Sequence, residues 1–151
     1  MSTHLPFTID IEDEAIDDLK TRLRRSRFSQ QIAHEPWTLG TDRETLISVC
    51  RYWESTFDWR SAEMRLNEWP QFVCEIQGEK LHYAHIRSPH DNAIPLVMTH
   101  GWPGSIAEFV DVVDPLTNPL AHGGHEDNAF HVVLPSLPGF GFSGPTQKMG
   151  N

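Results

Sequence analysis

The sequence predicts an α/β protein in which a helical segment precedes a sheet that contains parallel strands. Apolar residues recur at helical spacing in several stretches within residues 1–67, and at Phe72 the spacing changes to the period of two that is typical of strands. Residues 95–105 then read as a buried strand, a sharp turn and a capped helix start. We therefore expect two parts, a helical segment over residues 1–67 and the first strands of a sheet over residues 68–151.

The helical segment contains three predicted helices. Residues 5–11 alternate in polarity and predict a short extended stretch before the first helix, which runs over residues 12–25. Acidic residues cluster at the start of that helix and basic residues at its end, an order that suits the helix macrodipole. A capping box from Thr41 to Glu44 opens the second helix, and a third, short helix ends before Pro70.

Several large apolar residues of this segment are expected to pack into a core rather than to bind a ligand. Aromatic side chains carry large buried area wherever a helix docks, and Trp37 is expected to anchor its loop in the same way. The predicted inward face of the second helix consists of Leu46, Val49, Cys50 and Trp53. The aromatic residues that we expect to pack are Trp53, Phe57, Trp59 and Trp69.

The sheet is predicted to begin with a hairpin and to continue with two buried strands. Residues 72–76 and 81–86 alternate in polarity and are joined through four residues that include Gly78. The first buried strand starts at Pro95, and the second covers residues 130–134. Between them, an amphipathic helix is expected to begin at Ser105 and to stop before Pro115.

The turn after the strand from Pro95 is the candidate functional site. Ligands of α/β proteins bind beyond the carboxyl ends of parallel strands, which is where this turn falls. Gly101 has no Cβ and would let a reacting atom approach the backbone closely. Pro103 fixes its own φ and biases Trp102 towards an extended conformation, which orients the Trp102 N–H.

The sequence around this turn resembles a known family. His-Gly-Trp-Pro-Gly-Ser at residues 100–105 resembles the oxyanion-loop motif of epoxide hydrolases, in the microsomal epoxide hydrolase-like branch of the α/β-hydrolase fold. The Gly- and Pro-rich residues 134–144 resemble the loop after the next strand of that family. Its N-terminal domain is matched by Trp59-Arg60, Leu66-Asn67 and Pro70. The resemblance covers nearly the whole chain and implies the N-terminal portion of an α/β-hydrolase fold, preceded by a helical epoxide hydrolase N-terminal domain.

The resemblance also implies a chemistry and a set of site residues. In the family, an Asp carboxylate opens the epoxide to give an alkyl-enzyme ester, and a His-activated water hydrolyses the ester to a vicinal diol. Backbone N–H donors stabilise the oxyanion formed in hydrolysis, and the Trp102 N–H is expected to be one of them, next to a cis Trp102–Pro103 peptide bond. The residues expected to shape the loop or the substrate pocket are His100, Gly101, Pro103, Phe140 and Phe142.

The chain does not contain every group that this chemistry requires. We expect the nucleophile, the second oxyanion donor and the catalytic His to lie beyond Asn151. The family's two lid tyrosines have no counterpart here, because Tyr52 and Tyr83 both precede the strand from Pro95. The chain by itself is therefore expected to be inactive.

Composition and charge restrict the partners. A net charge of −9 argues against a nucleic-acid partner, because nucleic-acid binding needs a basic patch. Two cysteines cannot build a disulfide framework, and no apolar run approaches the length of a membrane span. We expect a soluble cytoplasmic protein with no membrane anchor, no metal and no cofactor, whose complete form acts on a small apolar epoxide. A homo-oligomer is left open.

The sequence also permits three other interpretations. His122 and His125, near two acidic residues, form the most metal-like set in the chain, but zinc sites require three or four well-spaced ligands. The glycines from Gly139 to Gly144 match a dinucleotide-binding fingerprint, yet prolines bracket them and two Phe occupy the variable positions. The chain could also be a non-catalytic or partner-binding fragment, or part of an esterase or dehalogenase of the same fold.

Overall fold

The computed structural model of the chain describes residues 3–32 and 35–146. These residues form two compact units, one from residues 10–63 and one from the residues that precede and follow them. The strands are β1 (Leu5–Phe7), β2 (Gln71–Ile76), β3 (Glu79–Ile86), β4 (Ile94–Val97) and β5 (Phe130–Pro135). The α-helices are α1 (Asp13–Arg24), α2 (Arg43–Ser55), α3 (Trp59–Asn67) and α4 (Val113–Thr117).

The five strands form one mixed sheet in the order β1-β2-β3-β5-β4. β1, β2, β3 and β5 pair antiparallel in succession, whereas β4 pairs parallel to β5. The hairpin between β2 and β3 closes with only two residues, Gln77 and Gly78, both with positive φ. Positive φ at both central residues defines a type I′ turn, whose twist matches that of the flanking strands. The predicted four-residue connection was therefore too long, and β3 begins at Glu79.

The core of the sheet unit lies on one face of β3 and β5. Its buried residues are Ala84, Ile106, Val113, Val132 and Leu134, and Trp69, Leu96 and Phe109 pack against them. The chain between β4 and β5 contributes a 3₁₀ helix (Ile106–Phe109) and α4 to this core and then forms two further 3₁₀ helices (Pro119–His122 and Glu126–Asn128). The predicted continuous helix from Ser105 was wrong. Pro115 is the third residue of α4, where a first-turn N–H needs no intrahelical partner.

β4 lies at the edge of the sheet, and its apolar side chains are largely exposed. Within the described chain β5 is its one hydrogen-bonded neighbour, and Val97 is 64% exposed. The apolar run predicts a buried strand, whereas β4 is largely exposed in the described chain. Composition indicates which side chains a strand could bury, but not how many neighbouring strands cover it. An unpaired apolar edge of this kind is a template for pairing with another strand.

The helical unit differs from the sequence prediction at two points, namely the residue that caps α2 and the apolar residues that are buried. Asp42, not Thr41, caps α2, and its carboxylate accepts the Thr45 N–H at 2.9 Å. The expected inward face of α2 is largely exposed, with Leu46, Val49 and Trp53 all accessible. Trp37, expected to anchor its loop, is 59% exposed. Together with residues of α1, Val49 and Trp53 instead line an apolar cavity of about 520 Å³.

A buried carboxylate holds the start of this unit together. Glu63 on α3 accepts hydrogen bonds from the Ile11 N–H at 2.8 Å, the Trp59 indole N–H at 3.1 Å and the Arg60 guanidinium. Arg60 also donates to the Ile11 carbonyl and pairs with Asp13. Burial opposes the charge of Glu63, but these donors outweigh it, so the pKa of Glu63 lies below its ordinary value.

Replacing Glu63 by Gln tests this network. One amide oxygen can still serve Ile11 and Trp59, but the amide NH₂ would face the Arg60 guanidinium, donor against donor. We expect Glu63→Gln to lower the free energy of unfolding by about 1–3 kcal/mol, measured by denaturant titration. The exposed partner Asp13 supplies the matched control, because Asp13→Asn should change stability little. Equal effects from both variants would contradict the central role of Glu63.

Candidate functional site

Three strands have their termini at the same end of the sheet. β4 and β5 run parallel, with Val97 opposite Val133, so their carboxyl ends lie side by side. β3 is antiparallel to β5, with Tyr83 opposite Pro135, so the amino end of β3 lies at the same end of the sheet. The segments that follow β4 and β5 are thereby brought together. They contain nearly all the residues that the sequence singled out.

The segment after β4 forms a tight turn. The Gly104 N–H donates to the Gly101 carbonyl at 2.7 Å, and the Trp102–Pro103 peptide bond is cis, as predicted. A cis-Pro at the third position defines a type VI turn, here called the 101–104 turn. Ser105 follows and caps the next helix, accepting the Ala107 N–H at 3.2 Å.

The glycines of this turn have different surroundings. A Cβ on Gly101 would meet nothing within 4 Å, so the space in front of this residue is open. A Cβ on Gly104 would stand 1.3 Å from a carboxylate oxygen of Glu108, whose side chain folds back over the turn. Gly104 thus leaves room for this exposed carboxylate, while Gly101 leaves room in front of the backbone.

His100 lies directly before the turn and is 4% exposed. Its Nε2 accepts the N–H of Leu137, from the segment after β5, at 3.1 Å. Its Nδ1 lies 3.2 Å from the Gly101 carbonyl oxygen. The Phe140 ring meets the imidazole edge-on, with ring centroids 5.6 Å apart. The structure therefore brings His100, the turn and Phe140 together.

Trp102 presents both its side chain and its backbone donor. The side chain is 84% exposed. The Trp102 N–H makes no hydrogen bond to any residue within 3–32 or 35–146. A backbone N–H on an ordered turn, open at the end of parallel strands, is a group that can donate to an anionic atom of a ligand.

Phe142 does not join this group. Its ring packs against Phe7, at a centroid distance of 5.6 Å, and against His82, at 5.2 Å. The glycines of the 136–144 loop explain the separation. Gly139 and Gly141 both have positive φ, and the chain bends so that Phe140 and Phe142 contact different neighbours.

Sequence reasoning missed a buried polar network beside this loop. His82 on β3 is fully buried; its Nε2 lies 2.9 Å from the Gln71 amide oxygen and its Nδ1 2.9 Å from the Ser136 hydroxyl. The Ser143 hydroxyl accepts the His82 N–H and donates to the Ser136 carbonyl. The sequence contains a signal for this network, because Gln71 and His82 are polar residues on strands.

The hydrogen bonds fix the tautomer of His82. The Gln71 amide nitrogen donates to the Leu66 carbonyl, so its oxygen faces His82 and can only accept. His82 therefore carries its proton on Nε2, and Nδ1 accepts the Ser136 hydroxyl. Burial, and to a smaller extent the positive charge of Lys80, lowers the pKa of His82 to about 4.

The other histidine clusters and the glycine-rich loop show different arrangements. His122 pairs with Asp114 at 2.6 Å, and His125 lies 3.2 Å from Asp127. Among residues 3–32 and 35–146, no group of three His, Cys, Asp or Glu side chains is placed to hold a metal ion. No helix follows the 136–144 loop as far as residue 146, whereas a dinucleotide fingerprint opens a helix.

These features define a class. A mixed sheet that follows helices, and that carries an open backbone donor on the turn after a parallel strand, is the N-terminal portion of an α/β-hydrolase fold. Solved structures agree. The Aspergillus niger epoxide hydrolase aligns with 99% of this chain and 38% of its own, at 37% identity and a TM-score of 0.78. The juvenile hormone epoxide hydrolase of Bombyx mori aligns with 100% of this chain and 36% of its own, at 29% identity and a TM-score of 0.85.

Sequence comparisons give the family. Residues 4–109 match the family described as "Epoxide hydrolase N terminus". A protein of Stigmatella aurantiaca whose name assigns it provisionally to the epoxide hydrolases is 46% identical over 97% of this chain and 33% of its own length. Epoxide hydrolase 1 of Sus scrofa is 36% identical over 96% of this chain and 33% of its own length. The chain belongs to the epoxide hydrolase N-terminal family and spans about a third of the length of these relatives.

The lowered pKa of His82 predicts an acid-sensitive fold. Between the unfolded pKa near 6.5 and the folded pKa near 4, the unfolded chain binds a proton that the folded chain does not. The stabilising contribution of His82 is therefore constant above pH 6.5 and is lost as the pH drops towards 4, by up to about 1.4 kcal/mol per pH unit. Urea titrations from pH 7 to pH 4 measure the slope.

A matched pair of variants isolates this contribution. His82→Asn should be less stable at pH 7 and should show a shallower loss below pH 6.5. The exposed His125, which lies outside the buried network of His82, supplies the control variant His125→Asn. Parallel slopes for all three proteins would contradict a buried, neutral His82.

Proposed function

We propose that this chain is the N-terminal part of an epoxide hydrolase and supplies one oxyanion donor, the Trp102 N–H. One observation carries the proposal: the Trp102 N–H has no hydrogen-bond partner among residues 3–32 and 35–146, and it lies on a hydrogen-bonded turn at the carboxyl end of a parallel strand. The names of the relatives support the activity, since both are epoxide hydrolases, of which this chain aligns with 33% and 38% of the length.

The chemistry follows from what a backbone donor can do. An epoxide opened by a carboxylate gives an ester, and attack of water on that ester builds negative charge on its carbonyl oxygen. A preorganised N–H stabilises this charge, typically by about 3–4 kcal/mol per donor. The nucleophile, the second donor and the base for water are assigned to the part of the complete protein outside this chain.

The proposed substrate is a small apolar epoxide. Two aromatic groups support an apolar ligand: the exposed Trp102, next to Gly101 in the chain, and the half-buried Phe140 ring, which packs against His100. We also propose a cytoplasmic location, which two free cysteines support. Within residues 3–32 and 35–146, every helix falls short of the length and hydrophobicity that a membrane span requires. The exposed β4 edge supports self-association of the chain by strand pairing.

A chimeric enzyme tests the proposed donor. Residues 4–146 of this chain would replace the matching part of the Aspergillus niger enzyme, and styrene oxide hydrolysis would be followed by diol formation. We expect diol from the chimera and none from the 151-residue chain alone. Trp102→Pro removes the backbone N–H and should lower kcat by about 10²–10³-fold. The matched Trp102→Phe variant keeps the N–H and should stay within about tenfold of the unsubstituted chimera.

Besides an inactive chimera, two results would reject the proposal. Diol formed by the isolated chain above the buffer blank would show that a nucleophile lies within it. Equal kcat values for Trp102→Pro and Trp102→Phe would show that the Trp102 N–H does not stabilise the oxyanion.

A further inference from the structure

His100 makes its two hydrogen-bonding contacts with two different segments. Its Nε2 meets the backbone N–H of Leu137, at the start of the 136–144 loop, and its Nδ1 meets the carbonyl of Gly101, in the 101–104 turn. The side chain is almost completely buried, so water does not supply substitutes for these contacts. The imidazole therefore links the segment after β4 to the segment after β5.

The chemistry of these two partners fixes the tautomer. The Leu137 N–H can only donate, so Nε2 must be unprotonated and accept. The Gly101 carbonyl can only accept, so Nδ1 must carry the proton and donate. A neutral imidazole with its proton on Nδ1 satisfies both contacts; the other tautomer satisfies neither.

The Gly101 carbonyl matters because it shares a peptide plane with the Trp102 N–H. The six atoms of a peptide unit lie in one plane, and in a trans unit the C=O and N–H point in opposite directions. The Gly101 oxygen accepts from the Gly104 N–H at 2.7 Å and faces the His100 Nδ1–H at 3.2 Å. Two donors on this oxygen hold the carbonyl, and the opposite N–H is held with it.

We propose that His100 is a positioning residue for the Trp102 N–H. As the Nδ1–H tautomer, it fixes the plane of the Gly101–Trp102 peptide and ties that plane to the backbone after β5. It touches the donor peptide and no reacting atom. Hydrogen bonds in a chain polarise one another, so two donors on the Gly101 oxygen also strengthen the Trp102 N–H as a donor. This inference rests on the proposed oxyanion role of Trp102.

The tautomer can be measured without any enzymatic activity. In the 151-residue chain labelled with ¹⁵N-histidine, long-range ¹H–¹⁵N spectra distinguish a protonated Nδ1 from a protonated Nε2. The signals that disappear in His100→Gln identify His100. We expect the proton on Nδ1. A proton on Nε2, or a ring that samples both forms equally, would overturn the proposal.

Two substitutions test the link to Leu137. Gln can place its side-chain oxygen near the Nε2 position, whereas Phe keeps a ring of similar size and has no acceptor. Amide exchange at Leu137 should be about tenfold faster in His100→Phe and close to the original rate in His100→Gln. Ser136 is the internal control, since its N–H donates to the His82 carbonyl and not to His100. Unchanged exchange at Leu137 in His100→Phe would overturn the proposal.

Kinetics in the chimera distinguish a positioning role from general support of the fold. His100→Phe should lower kcat about tenfold with little change in KM, and His100→Gln should restore most of the loss. A rise in KM with kcat unchanged would overturn the positioning role. The two proposals fail separately. An inactive chimera rejects the proposed function and leaves the tautomer measurement as the test of the His100 geometry. An active chimera with the proton of His100 on Nε2 rejects the positioning role alone.

Discussion

Two adjacent residues after β5, Ser136 and Leu137, are each held by a histidine from a neighbouring strand. His82, on β3, approaches the Ser136 hydroxyl, and His100, after β4, accepts the Leu137 N–H. These contacts fix where the chain goes after leaving the sheet. The 136–144 loop and the 101–104 turn both depend on them, because a backbone without regular secondary structure needs side-chain partners for its buried polar groups.

The two histidines are held in opposite tautomers for the same physical reason. Each imidazole lies in a place that water does not reach, and the partner atoms there have fixed donor or acceptor roles. His82 carries its proton on Nε2, facing the Gln71 oxygen. His100 carries its proton on Nδ1, facing the Gly101 oxygen. A buried polar network of this kind is stable only when every member is satisfied, so it specifies a single arrangement of the surrounding loops.

The helical unit uses a different device, a buried carboxylate surrounded by donors. Glu63 receives a backbone N–H, an indole N–H and a guanidinium, which together compensate for removing its charge from water. This arrangement holds Ile11 to α3. The apolar residues of α1 and α2 line a cavity, and several of them are exposed. They therefore contribute less buried apolar area to the unit than their number suggests.

Sequence reasoning succeeded where local chemistry decides. The three helices, the β2–β3 hairpin and β5 were predicted from periodicity and turn residues, and the cis bond before Pro103 from the resemblance of its motif. It failed where neighbours decide. β4 carries the composition of a buried strand but has one partner strand in the described chain. Trp37 has the size of an anchoring residue, but no local rule states what it packs against, and it is exposed.

The sequence by itself determined the family, the class of fold and the turn that carries the candidate donor, because these depend on short motifs and on hydrophobic period. Only the tertiary structure decided which residues support that turn. His100 and Leu137 are 37 positions apart, and His82 and Ser136 are 54 apart. Their contacts exist because β4 and β3 flank β5 in the sheet. Strand order is set by long-range pairing, and no local pattern in the chain encodes which buried polar atoms that pairing brings within hydrogen-bond distance.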